Sequence, residues 1–262
     1  MKKTLGIFFS LIILININSL AKEKVTIAIE DNDFAPWTFG KKSKFKGQGA
    51  LVELLKSFEK DLNIKFSFQV MPWKRCLSKM RKNQVDGVFN ASFKEKRQKM
   101  GAYPFVGGKL SEIRGTHSSN YVLYRSIGKN IKWNGKGFEN IDSPILVERG
   151  FSIKDDIEQM GFKTFQVSRA LSGFKMLQRG KMSGMVTLEA MGDMVLDDKP
   201  ELKEKIEKFL PPVKSKRYFL MLSHNMVKNH KDLSEKIWSS IQSANEKGIP
   251  KELYKKWSLK LK

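Results

Sequence analysis

Apolar and polar positions along the chain follow two periods. Residues 25–30 are β-branched and alternate, so they read as a first strand. Leu51, Leu54, Leu55 and Phe58 then recur at i, i+3, i+4 and i+7, which predicts an amphipathic helix over residues 50–61 behind Gly47-Gln48-Gly49. Ile64–Met71 reads as the second strand, and Pro72-Trp73 opens a helix to Met80 with proline near its first turn. After the polar turn Lys82-Asn83-Gln84, residues 85–90 form an apolar run expected to be a buried strand of a parallel sheet. Strand, helix, strand, helix, strand is the doubly wound α/β pattern. Further strands are expected at 121–124, 144–147, 164–167, 184–187 and 218–223. Helices are expected at 153–160, on Leu171, Phe174 and Leu177, from Asp232 through Ile241, and at 252–257 after Gly248-Ile249-Pro250.

Two weak stretches divide this pattern. Between residues 107 and 124 periodicity fades, and around 209–217 the pair Pro211-Pro212 is expected to break a helix before a strand restarts. Two such crossings predict a two-lobed body: residues 22–112 in lobe 1, 113–212 in lobe 2, and 213–262 returning to lobe 1. The cleft between the lobes is then the natural pocket. Residues 1–21 carry Lys2 and Lys3, an apolar run from Leu5 to Ile15, and small residues at Ser19 and Ala21. That is the make-up of a secretory signal peptide cleaved after Ala21, with an apolar run short of the ~20 residues of a spanning helix. No cysteine lies near the cleavage point, so a lipid anchor is not indicated.

The formal charge is +22, or +20 without Lys2 and Lys3, but the lysines are spread through every segment. No basic stripe interleaved with aromatics is present, so a solvated basic surface is read in place of nucleic-acid binding, with attraction to an anionic ligand or envelope surface second. The single cysteine, Cys76, permits no intramolecular disulfide and falls on the apolar face of its helix. His117, His224 and His230 lack metal-ligand spacing, and neither Gly-x-Ser-x-Gly nor a phosphate-binding Gly-x-x-x-x-Gly-Lys-Ser/Thr occurs. No metal or cofactor is implied.

The most informative stretch follows residues 85–90: Asn90-Ala91-Ser92, then Phe93-Lys94-Glu95-Lys96-Arg97, then Tyr103-Pro104-Phe105. Ser92 and Glu95 have capping-box spacing for a short helix that carries Arg97. A guanidinium fits a carboxylate with two parallel bonds and keeps its charge at all pH values. The plain alternative is that Ser92 only caps and Arg97 is a solvated charge. This stretch resembles the ligand motif of family 3 extracellular solute-binding proteins, receptors that feed polar amino acids and similar solutes to ABC importers.

The resemblance implies an α/β, two-lobe periplasmic-binding-protein fold of type II, each lobe a mixed sheet flanked by helices, with two hinge crossings. It implies that Ser92 and Arg97 hold a ligand carboxylate, that Asn90 lends a polar contact, and that Phe34 stacks over the ligand. Asp31 matches a position that meets a distal cationic group in some members, though it equally suits a turn cap. Gly150, Phe151 and Ser152 match a turn that gives backbone N–H groups to the carboxylate, and Ser152 with Asp155 again has capping-box spacing. The family's acidic partner for an α-ammonium falls on Leu188; a slight shift would bring the neighbouring Glu189 in, or the ligand lacks an ordinary amino group. Trp37 is expected in the core and Arg75 in solvent. The implied protein is a periplasmic monomer without cofactor that binds an amino acid or related carboxylate and serves an inner-membrane ABC permease. Two rivals keep the same fold: a dehydratase- or lytic-type cleft enzyme, with Glu189 as its one nameable acid, and a secreted sensor without a transport role.

Overall fold

The computed structural model describes residues 22–260, so the expected signal peptide lies outside the described residues. The chain opens with β1 (Glu23–Glu30), α1 (Ala50–Ser57), β2 (Ile64–Met71), α2 (Trp73–Arg81) and β3 (Gly87–Ser92). A 3-10 turn at Glu95–Lys99 and a small hairpin, β4 (Phe105–Val106) with β5 (Lys109–Leu110), lead to the long strand β6 (His117–Ser126). Next come a second hairpin, β7 (Lys132–Trp133) with β8 (Phe138–Glu139), then β9 (Ile145–Glu148), α3 (Ile153–Gln159), β10 (Thr164–Val167), α4 (Ala170–Gln178), β11 (Gly184–Leu188), α5 (Glu189–Asp198) and α6 (Pro200–Lys203). The strand β12 (Ile206–Leu222) returns the chain to α7 (His224–Asn229), α8 (Lys231–Glu246) and α9 (Ile249–Leu259).

One mixed sheet runs through the molecule in the order β10-β9-β11-β6-β12-β3-β1-β2. Parallel triplets stand at its two ends, and the antiparallel pair β6–β12 bridges them. Alternation places Ile27 and Ile29 of β1 against Leu51, Leu54 and Leu55 of α1 and Ile237 and Ile241 of α8, while Ala28 faces the opposite layer with Cys76 and Met80. The second end of the sheet packs Val122, Leu146 and Met185 on Phe174 and Leu177 of α4. Cys76 is fully buried, and its thiol donates to the Met71 carbonyl at 3.5 Å.

Several boundaries differ from expectation for local reasons. Helix α1 stops at Ser57 instead of residue 61, because Ser57 Oγ turns back on the Leu54 carbonyl and Glu59 accepts from the Phe66 N–H at 2.9 Å. No helix is broken at Pro211-Pro212; both prolines sit within β12, where its pairing with β6 shifts between Phe209 and Lys214. Proline lacks the N–H that a ladder needs, so it settles where the ladder is interrupted. Pro250 likewise starts α9 instead of preceding it, since the first helical turn needs no donor there. Helices α5, α6 and α7 were not foreseen from periodicity. Among the described residues, no helix is long and apolar enough to cross a membrane.

Candidate functional site

The ends of β1 and β3 meet the turn after β9 where the two halves of the sheet face each other. Asn90 carries a positive φ of 58° at the point where β3 slips against β12, between Phe219 and Met221. Asparagine tolerates this left-handed conformation better than most residues. Ser92 is not a helix cap: it is the last residue of β3, paired with Tyr218, and the 3-10 turn begins beyond Lys94 without a side-chain cap. Its hydroxyl is thereby left to the cleft, where it donates to Ser152 Oγ at 2.8 Å.

Arg97 is buried, with 5% of its surface exposed. Its Nη1 donates to the Ser92 carbonyl at 2.9 Å and to Ser92 Oγ at 3.1 Å, and its Nη2 donates to the Gly150 carbonyl at 3.1 Å. The guanidinium carbon lies 5.5 Å from the Trp73 ring. Among the described residues no carboxylate stands within ion-pair distance of it.

The turn after β9 brings a carbonyl as well as N–H groups to the site. Gly150 has φ 84°, and a Cβ there would sit 3.2 Å from Trp73 Cδ1, so the position suits glycine alone. It presents its carbonyl, which accepts from Trp73 Nε1 at 3.2 Å and from Arg97, while the Phe151 N–H is already given to the Glu148 carbonyl at 3.2 Å. Ser152 precedes α3 but makes no side-chain cap, because its hydroxyl is engaged with Ser92. Asp155 reaches across to Lys94 at 2.6 Å and to Lys96, and Asp156 meets Lys216. Burial opposes ionisation of Asp155, yet the two lysines hold its carboxyl down to about 2. Burial in turn lowers Lys94.

These groups enclose a cavity of about 20 Å³, space for roughly one water. Phe34 (3% exposed), Asn90, Ser92, Arg97, Phe151 and Ser152 line it. A wider chamber of about 300 Å³ adjoins it, sharing Glu30, Trp73 and Phe151. Asp31 lies in that second chamber, 3.5 Å from Arg169 of the opposite wall, and does not line the first. Glu189 is brought to neither: it accepts from Lys208 Nζ at 2.9 Å and Asn120 Nδ2 at 3.3 Å, while Leu188 forms the cavity wall. Glu189 opens α5 with its carboxylate engaged there, so it does not join Leu188 in the cavity lining.

The model of the bacterial extracellular solute-binding proteins, family 3, matches residues 25–260. The chain belongs to this family. No curated protein matches it. Among solved structures, a histidine kinase sensor domain with similarity to periplasmic binding proteins superposes with a TM-score of 0.73 at 13% identity, covering 90% of this chain and 96% of that one. A mutant of ArgBP from T. maritima gives 0.69 at 17% identity over 89% and 94% of the two chains. The arginine-, lysine-, histidine-binding protein ArtJ from Geobacillus stearothermophilus gives 0.67 at 18% identity over 90% and 95%. At such identities the likeness establishes the shared type II periplasmic-binding fold.

Within this family 3 protein, sequence reasoning missed Glu30, Glu148, Tyr121 and Tyr218. Burial pushes Glu30 up to about 8, with Glu148 and Asp31 adding repulsion against a side-chain bond from Asn32 and the attraction of Arg169. Burial likewise pushes Glu148 up to about 7, although Thr187 Oγ1 donates to it at 2.6 Å. Tyr218 donates to Tyr121 across the β6–β12 pair at 3.1 Å. Only Glu30 left a signal in the sequence, as an acid at a strand end beside Asp31. The others sit in apolar strand patterns that say nothing about a cleft. Among the described residues, no cluster of His, Cys, Asp or Glu is arranged to hold a metal ion.

Proposed function

We propose that this protein is a periplasmic receptor that captures a small carboxylate-bearing solute, an amino acid above all, and delivers it to an inner-membrane ABC importer. The observation that carries the reading is Arg97: a buried guanidinium with no anion beside it. A charge taken out of water is costly unless an opposite charge joins it. A carboxylate entering the cavity supplies that partner, with Ser92 Oγ and Ser152 Oγ as further donors and Phe34 as an apolar wall. Asn90 lends an amide, and the turn at Gly150, Phe151 and Ser152 shuts the site from lobe 2.

The two lobes touch through Ser92–Ser152, Arg97–Gly150 and Lys94–Asp155. Solute binding replaces the first two contacts with bridges through the carboxylate. Binding energy then favours a closed state whose shape differs from the empty one, and the permease reads that difference. Strands β6 and β12 are the hinge, with lobe 1 formed by 22–112 and 213–262 and lobe 2 by 113–212. The receptor works as an exported monomer after cleavage behind Ala21 and releases its solute unchanged.

A thermal-shift screen of amino acids, organic acids and small peptides tests the reading, since a ligand of the folded state raises the melting temperature by mass action. At a ligand concentration of about 100 Kd the gain is about 2.7 kcal/mol. A screen in which no carboxylate raises the melting temperature rejects it.

A further inference from the structure

Two acceptors stand side by side in the cavity wall on lobe 1, and one of them lacks a donor. Asn90 gives its Nδ2 to Thr38 Oγ1 at 3.0 Å, which leaves Oδ1 without a partner in a side chain only 9% exposed. Glu30 is half-buried; it accepts from Asn32 Nδ2 on Oε1 at 3.0 Å, and Arg169 of the wider chamber attracts it. The parallel register of β1 and β3, with Ala28 opposite Val88, brings Glu30 and Asn90 to the same end of neighbouring strands. Glu30 borders both the cavity beside Arg97 and the wider chamber. Across from them lobe 2 offers Leu188, and Glu189 is occupied by Lys208 and Asn120.

The cavity wall therefore has a donor end at Arg97, with no carboxylate beside it among the described residues, and an acceptor end at Glu30 and Asn90. We infer that Glu30, with Asn90 beside it, seats a cationic nitrogen of the solute, so that the ligand is a carboxylate bearing an ammonium group and both charged ends rest on lobe 1. This inference rests on the receptor reading above and adds to it the residue that selects the ligand class. The acidic partner has moved from the β11 end, where Leu188 stands, to the β1 end. Burial favours a protonated Glu30 while the cavity is empty; an ammonium group supplies the charge that lets the carboxylate persist out of water. Lobe 2 contributes the lid, through Phe151, Ser152 and Leu188.

Calorimetry tests this on the purified protein with the standard L-amino acids and, for the tightest of them, the matching 2-hydroxy acid, in which a hydroxyl replaces the ammonium. Wild type should prefer the amino acid by about thirty-fold or more. Glu30→Gln should bring the amino acid to within about three-fold of the hydroxy acid while the hydroxy acid itself binds nearly as before. Glu30→Ala gives the same comparison if the Gln variant fails to fold, as judged from its melting curve. A hydroxy acid bound as tightly as the amino acid by wild type, an undiminished preference in the Glu30 variants, or no standard amino acid bound at all each overturns the inference. Arg97→Ala separates the two readings. If it loses both probes while the Glu30 variants keep the preference, only the role of Glu30 falls; if it keeps both probes, the receptor site itself has been misassigned.

Discussion

Replacing Arg97 by alanine separates its part in binding from its part in the fold. Each acceptor that Arg97 serves has a second partner. The Ser92 carbonyl also takes Tyr103 Oη at 2.9 Å, the Gly150 carbonyl takes Trp73 Nε1 at 3.2 Å, and Ser92 Oγ is bonded to Ser152 Oγ at 2.8 Å. Truncation strands none of them. Hydrogen bonds from a charged donor contribute roughly 1.5–3 kcal/mol each. Against this, the fold sheds a buried cation with no counter-ion, whose desolvation costs several kcal/mol. The two effects offset, and Arg97→Ala should lie within about 2 kcal/mol of the parent in unliganded stability. Affinity has no such compensation: a carboxylate that loses its buried partner weakens by about 2–5 kcal/mol, roughly thirty-fold to a few thousand-fold. Arg97→Lys, which keeps the charge but not the planar fork, should fall between. The assay is titration calorimetry with the tightest-binding amino acid, beside melting curves without ligand. Affinity within about three-fold of wild type would remove Arg97 from the site. A loss of unliganded stability as large as the loss of affinity would make it a structural strut.

Three further outcomes follow from the site. Glu30 and Glu148 have carboxyls raised from 4.5 to about 8 and about 7 in the fold, so their contribution to stability is full below pH 4.5 and is lost as pH rises through 7 and 8. Melting curves of the unliganded protein should therefore fall from pH 5 to pH 9 by less in a Glu30→Gln, Glu148→Gln double variant than in wild type; equal slopes contradict the assignment. Asp155→Asn removes the negative charge that Lys94 and Lys96 share across the cleft, and should loosen the contact there, seen as a larger radius of gyration in solution scattering without ligand and a loss of affinity of about three- to ten-fold. An unchanged radius would show that the pair does not hold the lobes. Asn90, with φ 58°, should tolerate glycine better than alanine by about 1 kcal/mol in chemical denaturation, although both lose the bond to Thr38; equal stabilities would mean the backbone relaxes out of that conformation.

The sequence by itself determined most of the framework. The alternation of β1, the unbroken span Ile64–Met71 and the Leu51-Leu54-Leu55 stripe are local periodicities, and the observed elements coincide with them because each apolar face has one layer to bury into. The family stretch around Ser92 and Arg97 was legible for the same reason. Tertiary structure alone decided what those residues do. Lys94, Lys96 and Lys99 surround Arg97 in sequence, and no local pattern marks it as the buried cation; Trp73 and the Gly150 carbonyl, the latter 53 residues away, bury it. Ser92 has the spacing of a helix cap, yet its pairing with Tyr218 and its bond to Ser152, 60 residues on, remove it from that task. Glu189 reads as a cleft acid beside Leu188, but it opens α5 with its carboxylate engaged by Lys208, and Glu30 borders the cavity instead. Side-chain periodicity records which way a residue faces its own layer; whether a charge finds a partner depends on strands and turns that meet only after the chain has folded.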